Sequence, residues 1–147
     1  MVYVEVFGGG GSVLLNKERS VREVLNDANG NLINLYRVVR EHPDELKDQL
    51  LYVMHNREDF KIAQRRLAQF SYKDDILRAA DFYQVVRQSY AGNGKQFSAV
   101  ARSMWAGFPA IDRVAGRLQG VTLEIEDFGV IFQRYDSPTT VFYIYPP

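Results

Sequence analysis

Four consecutive glycines follow an alternating, β-branched opening in VYVEVFGGGGS, and an acid, Asp27, stands 19 residues after Gly8. Glycine at the carboxyl end of a strand lets a backbone come close to a ligand. In nucleotide-binding α/β units an acid at about that distance bonds ribose hydroxyls. The residues read Phe7-x-Gly9-x-Gly11. This is not the G-x-G-x-x-G dinucleotide pattern, and no Lys-Ser/Thr pair follows to make a phosphate-binding P-loop. Two readings stand side by side: a nucleoside-type cofactor site and a merely structural tight turn. At the other end, TVFYIYPP runs a strand-like segment into Pro146 and Pro147. Proline cannot donate to a β-ladder, so Tyr145, Pro146 and Pro147 mark a rim. Rims of open α/β sheets are where ligands sit.

Other chemistries are closed off by composition. The 147 residues contain no cysteine, so neither disulfides nor thiolate metal sites exist, and His42 and His55 are the only histidines. Two helix-end, solvent-facing histidines make neither a His-based triad nor a metal site, and no metal is expected. No apolar run reaches membrane-span length, and the first residues lack the basic opening and long apolar stretch of a signal peptide. A cytoplasmic protein without a membrane partner is the expectation. Formal charge is zero, but residues 57–117 hold eleven basic and six acidic side chains. That is a local +5 between flanks of −5, which suits either a polyanion or ordinary solvated helix faces.

The elements that must position these residues follow from periodicity. VYVEV alternates as a strand, and REVLND reads as a second, ending on Asp27. Helical spacing appears in NGNLINLYRVVREH, with Leu32, Leu35, Val38 and Val39 on one face. Pro43 with Asp44 and Glu45 opens another helix, Asn56 caps a third, and DDILRAADFYQVVRQSY reads as a fourth. AGNGKQ breaks the pattern as a loop. PAIDRVAGRLQG is a helix with Gly120 as its C-cap candidate. VTLEIE, DFGVIFQRY and TTVFYIY read as strand, short helix and strand. Strands separated by helices predict a parallel sheet in an α/β fold. The helices of residues 43–117 are too many for one crossover and form an insertion, leaving 1–42 and 118–147 as the sheet-bearing core.

Three segments, YVEVFGGGGSVLLNK, VLNDANGNLINLYRVVREHPDEL and RLQGVTLEIEDFGVIFQRYDSPTTVFYIYPP, together resemble the Dam-type DNA adenine-N6 methyltransferases, phage and prophage members above all. FYQVVRQSYAGNGKQF is similar to the target-recognition region of that family. The resemblance implies a partial Rossmann-like methyltransferase sheet with an all-helical target-recognition insertion. It implies S-adenosylmethionine as methyl donor and adenine in double-stranded DNA as acceptor, without metal or covalent intermediate. Phe7, Gly9 and Gly11 match the loop for the methionine part of the cofactor, and Glu5 matches the acid before it. Asp27 matches the acid for the ribose hydroxyls. Asp127 and Phe128 match the segment against the cofactor's adenine, although Asp127 also reads as a helix N-cap and Phe128 as core. Lys95, Arg87 and Tyr90 are the DNA-contact candidates. Tyr83, Phe97 and Trp105 read either as helix core or as further DNA contacts.

The family's last motif is (Asp, Asn or Ser)-Pro-Pro-(Tyr, Phe or Trp). Its polar side chain and the first proline's carbonyl accept hydrogen bonds from the adenine amine, and its aromatic stacks on the flipped base. Here Tyr145 holds the polar position before Pro146 and Pro147, and the aromatic position falls after the last residue. The family's upstream Trp-Gly-Gly-Lys-like segment is likewise outside the chain. The expectation is an internal piece of such an enzyme with little turnover by itself. The alternative is a non-catalytic DNA-binding or assembly module that keeps the fold. Residues 140–145 are expected to form an exposed sheet edge able to pair with a second copy.

Overall fold

The computed structural model describes residues 1–70, 72–101 and 103–147; Arg102, one of the eleven bases of the central region, lies outside them. In chain order the elements are β1 (Val2–Glu5), α1 (Ser12–Asn16), β2 (Arg22–Asn26), α2 (Gly30–Glu41), α3 (Pro43–Leu50), α4 (Arg57–Gln69), α5 (Asp75–Gln88), α6 (Phe108–Arg117), β3 (Thr122–Glu124), α7 (Phe128–Tyr135) and β4 (Thr140–Tyr143). The architecture is mixed α/β. The four strands form one sheet in the order β3-β2-β1-β4, and every pairing is parallel. The chain winds outward from β1 to β2 and β3, then returns to place β4 on the other side of β1.

Alternation along β1 sets the two faces of the sheet. Tyr3 joins Leu14, Leu25, Ile33, Tyr36 and Leu118 in a core beneath α1 and α2. Val4 and Val6 point the other way and pack with Val24 and Ile131, with Phe132 of α7 and Phe142 of β4 against them. Both faces of β1 are therefore covered, as parallel sheets require. A third cluster joins Val38 and Val39 of α2 to Leu46 and Leu50 of α3, Ala79 and Ala80 of α5, and Ile111 and Ala115 of α6. The helices of residues 43–117 thus build on the outer side of α2.

Local chemistry explains the helix starts. The side chains of Asn29, Asn56 and Asp74 accept backbone N–H groups of the first turns of α2, α4 and α5, satisfying donors that the helix leaves open. At the amino end of the sheet, Glu23 is buried and accepts two bonds from Arg117 (2.7 and 2.9 Å) and one from Lys17 (2.7 Å). Burial pushes this carboxyl up, but those bonds and the N–H of Ser20 pull it down to about 2. The network ties β2 to α6.

Three sequence expectations need correction. Gly120 takes a positive φ of 80°, but the cap of α6 is Leu118 in right-handed helical geometry. VTLEIE yields only the three residues of β3, because the N–H of Glu126 bonds the side chain of Asn26 instead of a neighbouring strand. His55 is not solvent-facing: its Nε2 lies 2.8 Å from the carbonyl of Ser98, and its ring packs on Phe97.

Candidate cofactor-binding site

Strand β1 ends at Glu5, and the chain turns into the glycines against the end of β2. The N–H of Gly8 donates to the carbonyl of Asn26 at 2.7 Å. A Cβ on Gly8 would meet that carbonyl at 2.9 Å and Leu25 Cδ1 at 2.8 Å, so no other residue fits there undisturbed. Gly9 and Gly11 adopt positive φ values of 49° and 64°, which side chains resist. Each glycine that deviates from ordinary geometry thus has its own reason, and Gly8, which the Phe7-x-Gly9-x-Gly11 reading passes over, is the most tightly enclosed.

Asp27 holds the loop in place. Its Oδ2 accepts the N–H of Gly9 at 2.9 Å and its Oδ1 that of Asn29 at 2.8 Å. Each carboxylate oxygen retains a lone pair for a further donor. Tyr36, on α2, donates its hydroxyl to the carbonyl of Gly9 at 2.7 Å. Asn26, wholly buried, donates to the carbonyls of Val6 (2.9 Å) and Glu126 (3.0 Å). It therefore pins the carboxyl ends of β1, β2 and β3 together. Glu5 is buried too, and its Oε2 accepts from the N–H of Leu14 (2.9 Å) and the hydroxyl of Tyr3 (3.2 Å). Burial raises the Glu5 carboxyl above the ordinary carboxylate range, against the lowering effect of those two bonds and of Lys17.

These groups surround a cavity of about 490 Å³ at the carboxyl ends of β1 and β4, lined by Glu5, Phe7, Gly8–Gly10, Asp27 and, on the far side, Tyr143, Tyr145 and Pro147. The strand order reverses between β1 and β4. That is the switch point at which open α/β sheets bind ligands. Six residues expected from the sequence, Glu5, Phe7, Gly9, Asp27, Tyr145 and Pro147, meet around this one space. Gly11, Asp127, Phe128 and Pro146 do not line it. Phe128, half exposed, packs on Phe7 with ring centroids 5.9 Å apart, so it extends the aromatic side of the mouth. Asp127 caps α7 by accepting the N–H of Gly129 at 2.9 Å.

A second cavity, about 530 Å³, shares Gly9 and Gly10 with the first and reaches across to Leu32 and Tyr36 of α2, Tyr83 and Arg87 of α5, and Gly92. The glycine loop is thus a partition with a cavity on either side. Arg87 lines this second space, and its Nε donates to the carbonyl of Ser103. Tyr90 and Lys95 lie in the exposed loop that follows, closed by an antiparallel bridge between Ser89 and Phe97 and by a 2.7 Å bond from Tyr90 N–H to the carbonyl of Gln96. Tyr83 and Phe97 are half buried, whereas Tyr90 and Trp105 are exposed. Among the described residues no group of three or more His, Asp and Glu could hold a metal ion, and no helix is long and apolar enough to cross a membrane.

The structure is thus a parallel α/β sheet with a glycine loop and an acid side by side at the carboxyl ends of its central strands. A family model described as D12 class N6 adenine-specific DNA methyltransferase matches residues 1–96. The chain belongs to that family. The match takes in the glycine loop, Asp27, α2 to α5 and the loop to Gln96; Asp127, Phe128 and residues 145–147 lie outside it. No curated protein matches the chain.

Proposed function

We propose that the chain is the cofactor-and-recognition part of an S-adenosylmethionine-dependent DNA adenine-N6 methyltransferase. On this reading the sheet is Rossmann-like, residues 1–42 and 118–147 form the cofactor core, and helices of residues 43–117 form the target-recognition region for double-stranded DNA. The observation that carries the reading is the cavity at the β1/β4 switch point. Its lining contains two acids, Glu5 and Asp27, several aromatics and no base. Such a wall suits a cationic donor, through charge and through aromatic faces, and disfavours a phosphate-rich dinucleotide.

When bound, S-adenosylmethionine supplies an electrophilic methyl group that an adenine N6 amine can attack. The chain's part is placement. Asp27 would accept ribose hydroxyls on the lone pairs left by Gly9 and Asn29. Gly9 and Gly10, without side chains, would let the methionine portion lie against the backbone, with Glu5 supplying negative charge behind it. Phe7 and Phe128 would cover the adenine end, with Asp127 fixing the start of α7. Tyr145 and the carbonyl of Pro146 would face the target amine from the opposite rim, with Pro147 closing the turn.

Tyr145 favours a second reading for the reaction itself, a binding module without transfer. It is 74% exposed at the cavity mouth. A phenol there is bulkier than the family's Asp, Asn or Ser, and it offers the amine one acceptor instead of a carboxylate. The test is transfer of a labelled methyl group to adenine in duplex DNA by the parent chain and by Tyr145→Asp. A hydrogen bond to a charged group contributes about 1.5–3 kcal/mol, so Tyr145→Asp should raise single-turnover transfer by roughly 10- to 150-fold. Binding of both DNA and cofactor with no transfer by either protein would favour the module.

A further inference from the structure

Several bases of the helical region are held by carboxylates. Arg66 is held by buried Asp81 through two 2.7 Å bonds, Lys47 by Asp112, and Arg117 by Glu23. Arg57, Lys61 and Arg65, on α4, form no ion pair among the described residues, and all three are exposed. They are four residues apart, so they stand in one row, about 6 Å per step and about 12 Å in all. The other side of α4 is anchored: Phe60 and Ala63 are buried with Val85, Leu67 and Phe97 pack against them, and the Arg57 guanidinium at the start of the row lies 5.0 Å over the Phe97 ring. The helix cannot turn the row inward.

We propose that this row is a track for the phosphate backbone of duplex DNA, continuous with the glycine partition; the proposal rests on the methyltransferase reading above. Gln64, beside the row, donates its amide to the carbonyls of Gly94 (2.9 Å) and Lys95 (3.0 Å). That fastens the loop of Tyr90 and Lys95 against α4. The same loop, through Gly92, forms a wall of the cavity behind Gly9 and Gly10, beside Arg87. A duplex presenting a base at the partition would therefore pass Arg87 and Lys95 and then run along α4. A shallow groove of about 880 Å³ accompanies the row, lined by Arg57, Lys61 and Arg65 with Gln64 between them and one acid, Glu58. Glu58 lies in the first turn, where the helix dipole favours it. Asp59 projects a further 100° round the helix, away from the row. The row keeps a positive balance along the length of the groove.

The experiment measures binding of the full chain to a labelled 20-base-pair duplex by anisotropy between 50 and 200 mM salt. Three proteins are compared: the parent, R57A/K61A/R65A, and R22A/K73A/R113A, which removes the same charge from other elements. Each phosphate contact adds about 0.9 to the slope of log affinity against log salt. The row variant should lose about 2.7 from the slope and the control less than about 1, with cofactor affinity unchanged in both. If the triple variant does not fold, K61E and R65E singly should each lower the slope by at least about 0.9. An unchanged slope in the row variants, or an equal loss in the control, overturns the track alone. A parent chain that binds no DNA overturns the methyltransferase reading with it. Competition by polyglutamate as effective as by duplex DNA would assign the row to an acidic protein surface and overturn the proposal.

Discussion

Gly8→Ala should damage the fold and the cofactor cavity together, whereas Gly10→Ala should damage only the cavity. At Gly8 the added methyl carbon would sit 2.9 Å from the carbonyl of Asn26 and 2.8 Å from Leu25 Cδ1. Neither neighbour can yield. Leu25 is fully buried, and Asn26 is pinned by its side-chain bonds to Val6 and Glu126. Relief requires the loop to lift, stretching the 2.7 Å bond between Gly8 N–H and that carbonyl. Overpacking of this kind costs about 1–3 kcal/mol, and the strained bond adds about 0.5–1.5 kcal/mol. At about 4 °C per kcal/mol for a chain of this size, Tm should fall by roughly 6–18 °C. At Gly10 a Cβ meets nothing within 4 Å and φ is not positive, so Tm should hold or rise slightly. That methyl group would nonetheless project from the wall that both cavities share, and S-adenosylmethionine affinity should fall at least about tenfold, or about 1.4 kcal/mol. Thermal unfolding and cofactor titration of the two variants read the pair. A Gly8→Ala protein with the parent's Tm, or a Gly10→Ala protein with the parent's affinity, would refute the reasoning that the loop backbone is the ligand wall.

Glu23→Gln should lower stability at neutral pH by about 1.5–3 kcal/mol, because it takes the carboxylate from the charged hydrogen bonds of part-buried Arg117 and Lys17. In the parent, the folded-state value of about 2 lies below the ordinary 4.5. Glu23 therefore contributes stability that is fully present above 4.5 and is lost as pH falls towards 2; the variant's stability should be flatter across that window in acid titrations followed by circular dichroism. Among the described residues β4 is an edge strand, although it ends at Tyr143 and not at the expected Tyr145; with Val141 half exposed on it, sedimentation at high concentration should show a dimer that Val141→Lys disperses. A 16.9 kDa monomer at every concentration would count against that pairing.

The parts legible in the sequence are those set by local chemistry. Alternation gave β1, helical spacing gave α2, Pro43 with Asp44 and Glu45 gave the start of α3, Asn56 gave that of α4, and the glycine run announced a tight approach of backbone to something. The positions that hold the site together were less legible because they act across the sheet. Asn26 reads as an ordinary polar residue at a strand end until the parallel register brings Val6 and Glu126 to either side of it. Tyr36 looks like one more apolar-face residue of α2, yet its hydroxyl reaches Gly9. Gly8 stands among glycines that look alike, and only the nearness of the Asn26 carbonyl sets it apart. Asp27 was legible by its distance from the glycines, but its first task in the fold is to fasten Gly9. The shortness of β3 was hidden for the same reason, since a side chain of β2 replaces the next rung of the ladder.

On the proposed function, the β1/β4 cavity holds S-adenosylmethionine by means of the glycine loop and Asp27. Calorimetric titration of S-adenosylmethionine into the chain tests it most directly. One site per chain is expected, with affinity lowered at least about tenfold in Asp27→Ala, which removes the loop's anchor and the proposed acceptor for the ribose. Absence of binding to a folded parent chain, or the same affinity in Asp27→Ala, would contradict it.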